Sequence, residues 1–470
     1  MTRHAAVRHL RGAVLVFLAC LVPGCAGNSR PSILFITIDT LRADHVSSYG
    51  YGWPTTPTLD ALAASGARFT GMVAPLPETA PACATLLTGR WPGQLGMHGN
   101  GQPLGPDVET LATRLRQEGY ATAAFVSGFP LTRRLSGLAR GFTVYDDALP
   151  DARGRVPGVQ RVAAKTAAAA LKWLGQRRST PFFAWVHFYD PHGDYDPGPP
   201  YDTLFGPAPA GPDIPLADIP AYQRRDSETD AAAYLRRYDG EIRRVDDQVR
   251  RLLAKLDDTG DRPRTLVVIT ADHGESLTEH GYFFDHGNEI YQPSTHVPFI
   301  LNGPGVASRP EGIDGVARTV DIMPTVLDLL GVAPASDAPG RSLRPRLTGA
   351  VPAEPPEAFT EARFKPYRAL TPGADVGPKL AARDDRFTAI LRLATSRLEI
   401  YDRLADPGET DDLSPALAAG AGGRDLLRRV DGNLRRLRDA TTAGAVYTPR
   451  VFGQTEREFL QRWTAQERRK

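Results

Sequence analysis

The chain has 470 residues, of which 41% are hydrophobic and 23% charged, and its formal net charge is +2. These values are typical of a globular protein with one large domain and a smaller one. Residues 1–24 contain three arginines and no acidic residue, so the remainder carries a net charge of −1 (+2 − 3). This weak charge excludes the usual nucleic-acid-binding and polybasic membrane-binding classes, and we expect no nucleic-acid partner.

The N-terminus has the pattern of an export signal. An apolar run over residues 13–22, too short for a normal membrane span, follows three basic residues, Arg3, Arg8 and Arg11. The run ends in Val22-Pro-Gly-Cys25, which is similar to a bacterial lipobox. We therefore predict a protein exported to the cell envelope, in the periplasm or at the outer surface, whose only membrane contact is a lipid on Cys25. Cleavage of an ordinary signal peptide nearby is the alternative.

Four apolar runs rich in β-branched and aromatic residues predict strands that are buried on both faces. They are Ile33–Ile38, Ala121–Val126, Phe182–Val186 and Leu266–Ile269. Helical patterns separate them, at 107–117, 162–174 and 238–256. This alternation predicts an α/β fold with a doubly wound, mostly parallel sheet flanked by helices.

The composition changes at two places along the chain. Residues 197–220 are rich in Pro, Gly and Asp, which is typical either of a surface loop near a site or of a disordered insertion. After Gly331 the pattern weakens, and strand-like runs at 387–401 precede a helical pattern at 425–438. We predict a signal segment over 1–24, a main domain over 31–335, and a C-terminal α+β subdomain with a tail over 336–470.

Polar residues follow the predicted strands where these end. They are Asp39, Ser127, the segment His187–His192, and the pair Asp272-His273. Ligands of open α/β sheets bind beyond the carboxyl ends of the strands. Eight of the ten histidines also lie between His45 and His296. The pattern predicts a site for a metal ion or an anion at this edge of the sheet.

Thr79 begins a segment that has a helical start signal, with Pro81 in the first turn. A threonine at this point is usually a helix cap. It is also a candidate nucleophile, because the free N–H groups of a helix N-terminus favour an anionic oxygen and metal coordination lowers the pKa of a hydroxyl. The local sequence leaves both roles open.

Six short motifs occur in order along residues 31–415. They are Ile36-Thr-Ile-Asp-Thr-Leu-Arg-Ala-Asp-His45, Leu87-Thr-Gly-Arg90, Asp190-Pro-His192, Ala271-Asp-His-Gly-Glu275, Asp321-Ile-Met-Pro-Thr325 and Leu398-Glu-Ile-Tyr-Asp402. Together they resemble the sulfatase family of the alkaline phosphatase superfamily. The resemblance implies a metal-dependent hydrolase of sulfuric or phosphoric esters, with a small-molecule, glycan or lipid ester as substrate.

The resemblance also implies roles for individual residues. Asp39, Asp272 and His273 match metal ligands, together with Thr79 at the nucleophile position. Three residues are expected on the substrate side: Arg90 at the end of its motif, Asn100 in the loop that supplies substrate contacts in the family, and Ser127 by its place after a strand. His192 matches a proton donor to the leaving oxygen, and His286 stands where relatives carry a lysine. We expect one divalent metal (Ca, Mn or Zn) and consider a second at His187 and Asp190, which otherwise shape the loop by hydrogen bonding.

The sequence departs from the family at the nucleophile. Typical sulfatases carry Cys or Ser in Cys-x-Pro-Ser-Arg, which is converted to formylglycine, whereas this chain has Thr79-Ala-Pro-Ala-Cys83. Threonine cannot be converted, and we expect Cys83, which replaces the arginine, to pack inside the helix. Thr40 replaces an acidic ligand, and no lysine follows Thr79 or Asp272 closely. We therefore favour hydrolysis of phosphate mono- or diesters through Thr79. The competing hypotheses are a sulfatase that acts without formylglycine, a phosphoryl-headgroup transferase, and a non-catalytic lipoprotein that binds a polyanion.

Overall fold

The computed structural model describes residues 30–149, 160–206, 210–333, 338–350, 357–362, 377–392, 394–395 and 397–415. Within these residues the main sheet has eight strands: β1 (Ser32–Ile38), β2 (Ala67–Val73), β3 (Ala121–Val126), β4 (Val144–Asp146), β5 (Phe182–Phe188), β6 (Thr265–Ala271), β7 (His296–Asn302) and β8 (Arg309–Arg318). Their order is β4-β3-β5-β1-β6-β7-β2-β8. All neighbours pair in parallel except β7, which is antiparallel to β6 and β2. The predicted doubly wound, mostly parallel sheet is confirmed.

Helices alternate with these strands along the chain. They are α1 (Pro57–Ser65), α2 (Thr79–Thr88), α3 (Pro92–Leu95), α4 (Leu111–Gln117), α5 (Arg133–Ser136), α6 (Ala163–Leu174), α7 (Ala231–Thr259), α8 (Gln292–Thr295), α9 (Ile322–Leu329) and α10 (Arg344–Leu347). The strands β1, β5 and β6 are buried along their whole length, as their continuous apolar sequences predict. They form the centre of the hydrophobic core.

The longest helix, α7, is fixed at both ends and along one face. The Asp230 carboxylate accepts from the backbone N–H of Ala232, and Gly260 ends the helix in the left-handed conformation (φ 72°). The apolar stripe predicted from the sequence, which includes Tyr238, Ile242 and Val249, is buried. Tyr238 reaches the turn after β1, so this helix contributes to the geometry of the site described below.

The sequence patterns found the central elements and missed part of the sheet. All four predicted strands and the three helices predicted between them are present, with ends that differ by up to seven residues. The strands β2, β4, β7 and β8 were not predicted, and β4 has only three residues. Gly71 interrupts β2, Pro298 lies inside β7, and β8 pairs with β2 through irregular register. Glycine and proline weaken the local signal for a strand, and here only tertiary pairing defines these three.

A second, antiparallel sheet follows in the C-terminal part. Its strands are β9 (Ala358–Ala362), β10 (Lys379–Arg383), β11 (Phe387–Arg392) and β12 (Arg397–Asp402), in the order β12-β11-β10-β9. Buried cationic side chains join it to the segment 288–292: Lys379 Nζ donates to the Asn288 carbonyl (2.9 Å) and Arg392 pairs with Glu289 (3.2 Å). The smaller C-terminal subdomain is confirmed, while the helix predicted at 425–438 lies outside the described residues.

The described parts of the segment 197–220 are packed against the main domain. Ile214 and Ile219 are buried, and the Tyr201 carbonyl lies so close to Gly240 of α7 that a Cβ there would be 2.5 Å away. Of the two interpretations, these parts favour the packed loop. Across the described residues, no helix has the length and apolarity needed to cross a membrane.

Candidate active site

The carboxyl ends of β1, β5 and β6 bring together the polar residues that the sequence placed after these strands. Asp39 follows β1, His187 is the penultimate residue of β5, and Asp272 and His273 follow β6. All four side chains are fully buried. Because the three strands are adjacent and parallel, their ends meet at one edge of the sheet.

Two imidazoles lie close to the two carboxylates. His187 Nε2 is 3.5 Å from Asp39 Oδ2, and His273 Nε2 is 3.7 Å from Asp39 Oδ1. His273 Nε2 is also 3.8 Å from Asp272 Oδ2. Asp39 therefore presents one oxygen to each histidine. We call Asp39, Cys83, His187, Asp272 and His273 the deep half of the site.

The deep half contains electron-pair donors that no hydrogen bond satisfies. Within the part of the chain that the structure describes, Asp39 Oδ1, His187 Nε2 and His273 Nε2 are buried without a hydrogen-bond partner. His273 Nδ1 lies 2.9 Å from the Gly274 carbonyl, which fixes its proton on that nitrogen and leaves the lone pair on Nε2. Such buried polar atoms are costly, and Asp39, Asp272 and His273 offer one ligand atom each within 4.8 Å of the others. These residues fit a divalent cation.

The electrostatics of the deep half favour a bound cation. Burial and the neighbouring Asp272 carboxylate raise the pKa of Asp39 well above its usual value, with His273 acting in the opposite direction. The pKa of His273 is raised, because Asp272 and Asp39 favour its charged form against the effect of burial. A cation would stabilise both carboxylates in the ionised form.

Thr79 is the first residue of α2 and points into the same site. Its hydroxyl donates to Asp39 Oδ2 at 3.3 Å. The next backbone N–H, of Ala80, donates to Asn100 Oδ1 at 2.9 Å, and every residue of α2 is buried. A helix begins here as predicted, but the cap role of Thr79 is wrong, because Glu78 occupies the cap position. Asn100 thus holds the N-terminus of α2, so its carbonyl oxygen orients the candidate nucleophile, whereas a substrate contact was predicted.

The backbone after β1 is held in a strained turn. Thr40 has φ 56°, which is unusual for a β-branched residue. The Tyr238 hydroxyl of α7 donates to the Thr40 carbonyl at 2.6 Å and accepts from the Arg42 N–H at 3.1 Å. Asp272 Oδ1 accepts from the His273 N–H at 2.9 Å. These bonds fix the direction of both carboxylates from outside the site.

The outer half of the site consists of Asn100, Tyr189, His192, Glu275 and His286. His192 Nδ1 is 2.9 Å from the Gly193 carbonyl, and its Nε2 is 3.1 Å from the Tyr189 hydroxyl. His286 Nδ1 is 3.0 Å from Glu275 Oε1. The rings of His192 and His286 are 5.0 Å apart, and those of His273 and His286 are 4.5 Å apart. The structure therefore brings both predicted catalytic histidines to the metal-ligand candidates.

Both outer histidines are held in the neutral form. Removal from water and the neighbouring His286 lower the pKa of His192 to about 3. Burial and His273 lower the pKa of His286 well below its usual value. A negatively charged ester bound between them would raise both pKa values, because an opposite charge favours the imidazolium.

Three predicted site residues have other partners. The Ser127 hydroxyl donates to the His187 carbonyl (2.6 Å) and lies 2.8 Å from Thr166 Oγ1, so it is a fully buried structural group and does not bind substrate. Asp190 forms a buried ion pair with Arg244, and it is not grouped with His187. Arg90 lies beyond the far end of α2, roughly 16 Å along the helix axis from Thr79.

Other residues of the site were not identified from the sequence. Glu275 is fully buried and contacts His286, and its place in the Asp-His-Gly-Glu motif is a signal that could have found it. Cys83 Sγ is 3.9 Å from Asp272 Oδ2. Tyr238 has no local signal, because its role depends on a contact between residues 198 positions apart.

Comparisons with known proteins agree with this geometry. The family model "Sulfatase" matches residues 31–332, and the model "N-sulphoglucosamine sulphohydrolase, C-terminal" matches residues 278–429. The Delta 4,5-hexuronate-2-O-sulfatase of Bacteroides thetaiotaomicron is 26% identical over 431 residues, covering 84% of this chain and 87% of that protein. The multifunctional alkaline phosphatase superfamily protein PehA of Trinickia caryophylli is 26% identical over 480 residues, covering 83% and 93%. The crystal structure of the phosphonate monoester hydrolase of Agrobacterium radiobacter superposes with a TM-score of 0.69 at 26% identity, covering 87% and 96%.

Proposed function

The chain belongs to the sulfatase family of the alkaline phosphatase superfamily, and from this premise we propose that it hydrolyses phosphate mono- or diesters with Thr79 as the nucleophile. As a member of the family it is a metal-dependent hydrolase of the class that cleaves sulfate or phosphonate esters. The observation that carries the finer proposal is the Thr79 hydroxyl, which is buried at the start of α2 and donates to Asp39 Oδ2.

An unmodified hydroxyl suits phosphoryl transfer. Thr79 Oγ1 would attack phosphorus, and the bond to the departing alcohol would break in line with this attack. The hydroxyl proton has an acceptor in place, Asp39 Oδ2 at 3.3 Å. The product of this half-reaction is a phosphothreonine and an alcohol, and water then cleaves the phosphothreonine to regenerate Thr79. A metal bound by Asp39, Asp272 and His273 would neutralise charge on the transferred group.

The outer half supplies the proton for the leaving oxygen. We assign His192 this transfer, since its ring faces His286 across 5.0 Å and an anionic ester between the two rings would favour protonation. His286 would then face the transferred group, held in place by Glu275. The few lysines agree with a site that relies on imidazole: Lys379, for example, is occupied by Asn288 and Glu289.

A sulfate ester is the second candidate substrate, because relatives such as the Delta 4,5-hexuronate-2-O-sulfatase are named for it. The same relatives favour a glycan ester as the natural substrate. The deciding experiment compares the purified protein on matched aryl phosphate, aryl phosphodiester and aryl sulfate, with wild type beside Thr79→Ala. We expect turnover of a phosphorus ester that falls at least ~10³-fold in Thr79→Ala. Turnover of the sulfate alone, unaffected by Thr79→Ala, contradicts the proposal.

Two further outcomes of that experiment would indicate a transferase or a non-catalytic protein. Transfer of the phosphoryl-linked group to an added alcohol in preference to water indicates a transferase. Failure to turn over any of the three substrates, together with failure to bind metal, indicates a non-catalytic protein. Either result replaces the hydrolase proposal.

We also propose that the protein is exported and carries a lipid on Cys25. The support is the sequence of residues 1–25, which lie outside the described residues, and the domain boundary near residue 335 likewise stays a prediction. Metabolic labelling with a fatty acid checks the anchor: we expect incorporation into wild type and its loss in Cys25→Ser. Equal labelling of both proteins contradicts lipidation at Cys25.

A further inference from the structure

Cys83 lies in the deep half of the site although its sequence position predicted only helix packing. It follows Thr79 by one helical turn, so both side chains project from the same face of α2. Thr79 contacts Asp39, and the Cys83 sulfur lies 3.9 Å from Asp272 Oδ2. The helix therefore aligns a hydroxyl and a thiol with the two carboxylates at the ends of β1 and β6.

His187 faces the same carboxylates from β5. Trp185 donates its indole N–H to Thr37 Oγ1 at 2.9 Å, and His187 Nδ1 lies 2.8 Å from that oxygen. Thr37 Oγ1 can accept both N–H groups, and ligation of a metal through Nε2 requires this tautomer of His187. Nε2 makes no hydrogen bond with any described residue, and it is 3.5 Å from Asp39 Oδ2. In this tautomer two electron-rich atoms face each other in a buried space.

We propose that Cys83, His187 and Asp272 hold a second divalent metal ion, for which zinc is the class of ion that fits, beside the ion held by Asp39, Asp272 and His273. The ligand atoms of Cys83, His187 and Asp272 all lie within 4.8 Å of one another, and the three residues are fully buried. Thiolate, imidazole and carboxylate are the ligands that zinc takes, and its bond lengths of about 2.0–2.3 Å put neighbouring ligands about 3.3–3.8 Å apart. The observed 3.9 Å between sulfur and carboxylate is close to that spacing.

The arrangement makes Asp272 shared by both ions, and Asp39 adjacent to both. Asp39 directs Oδ1 to His273 and Oδ2 to His187. Charge also favours two ions. Asp39, Asp272 and Glu275 are fully buried carboxylates, and with a Cys83 thiolate they total four negative charges, which two divalent ions balance. Binding of the second ion releases the thiol proton to solvent, because the thiolate is the form that ligates.

Two other groups near the site are less suited to a second ion. Asp190, predicted as a partner of His187, is neutralised by Arg244. Glu275, Asp285 and His286 also lie within 4.8 Å of one another, but hydrogen bonds already occupy them. His286 Nδ1 lies on Glu275, and Asp285 Oδ1 accepts from the His286 N–H and the Tyr222 hydroxyl. The geometry therefore favours Cys83 and His187.

The test is to count metal ions and to detect sulfur ligation in the full-length chain. After loading with zinc, we expect two ions per chain in wild type and one in Cys83→Ser. After loading with cobalt(II), we expect a near-ultraviolet thiolate-to-cobalt absorption band in wild type that Cys83→Ser lacks. The matched control replaces the only other cysteines, Cys20 and Cys25, by serine and retains both properties. His187→Asn is expected to lose the second ion without loss of the first.

X-ray absorption of the zinc-loaded wild type keeps the test independent of any variant that fails to fold. A sulfur neighbour at about 2.3 Å from zinc is expected. One ion per chain in wild type, a spectrum without sulfur, or a band that persists in Cys83→Ser each overturns the second site. These measurements need no substrate, so their failure is distinct from failure of the proposed hydrolysis.

Discussion

The two halves of the site satisfy their polar groups in different ways. In the deep half, Asp39 Oδ1, His187 Nε2 and His273 Nε2 make no hydrogen bond to a described residue, and the nearest polar atoms are other electron-pair donors. In the outer half, hydrogen bonds join His192 to Gly193 and Tyr189, and His286 to Glu275. We therefore expect the deep half to gain stability from a cation, whereas hydrogen bonds within the protein hold the outer half.

Because of this difference, we expect a metal ion to stabilise the deep half and the protein's own hydrogen bonds to orient the outer half. We expect a cation in the deep half to stabilise the folded structure, because it offsets the burial and the Asp272 charge that raise the pKa of Asp39. The outer histidines are oriented by a backbone carbonyl, a hydroxyl and a carboxylate, so their positions do not depend on a metal. Substitution of an outer histidine should therefore leave the metal ligands of the deep half in place.

Removal of metal is expected to have the largest effect. A chelator should lower the hydrolysis rate at least ~10³-fold, because the ions neutralise charge on the transferred group. It should also lower the melting temperature by roughly 4 °C, since ligands at about 1,000 times their Kd stabilise a fold by about 4 kcal/mol. Activity assays and calorimetry before and after chelation check both. An unchanged melting temperature would show that the deep half is stable without a cation.

Substitution of His286 should affect catalysis alone. In His286→Asn we expect kcat to fall by about 10²-fold, as for loss of a positioned acid–base or charge-stabilising group. Bound metal and melting temperature should stay at the wild-type values. Glu275→Gln is the matched control, because the amide oxygen still accepts from His286 Nδ1, and its loss of rate should be smaller. Loss of metal in His286→Asn would show that metal binding in the deep half depends on the outer half.

The fold could be predicted where burial leaves a local pattern. The strands β1, β3, β5 and β6 are continuous apolar runs because they are covered on both faces. The strands β2, β7 and β8 contain glycine or proline or pair irregularly, so their existence depends on neighbours that are distant in sequence. No local pattern encodes such pairing.

The residues of the site could likewise be predicted only where a local pattern marks them. Asp39, Asp272 and His273 follow strands, so the rule on strand ends and the motifs both identified them. The contacts of Cys83 with Asp272, of Arg244 with Asp190 and of Ser127 with the His187 carbonyl join residues 54 to 189 positions apart. The sequence shows that such groups exist but not which of them meet.

Substitution of Arg244 tests whether Asp190 serves as the partner of an ion pair or as a metal ligand. Its guanidinium pairs with the buried carboxylates of Asp190 and Glu241. Arg244→Met should therefore lower the free energy of unfolding by about 3 kcal/mol, because it leaves buried charge uncompensated. Arg243→Met, at a half-buried neighbouring position, should cost less than about 1 kcal/mol. Denaturant titration measures both, and an extra bound metal ion in Arg244→Met would return Asp190 to the ligand candidates.

The smallest effect is expected at Ser127, which lies beside the deep half without entering it. Its hydroxyl donates to the His187 carbonyl and contacts Thr166, which also accepts from Arg161 Nε at 3.0 Å. Ser127→Ala removes two buried hydrogen bonds, so the free energy of unfolding should fall by about 2 kcal/mol. Because the hydroxyl is fully buried, KM and kcat should both stay within about twofold of wild type. A raised KM at unchanged stability would instead show that Ser127 contributes to substrate binding. A loss of bound metal would show that metal binding in the deep half depends on the backbone position of His187.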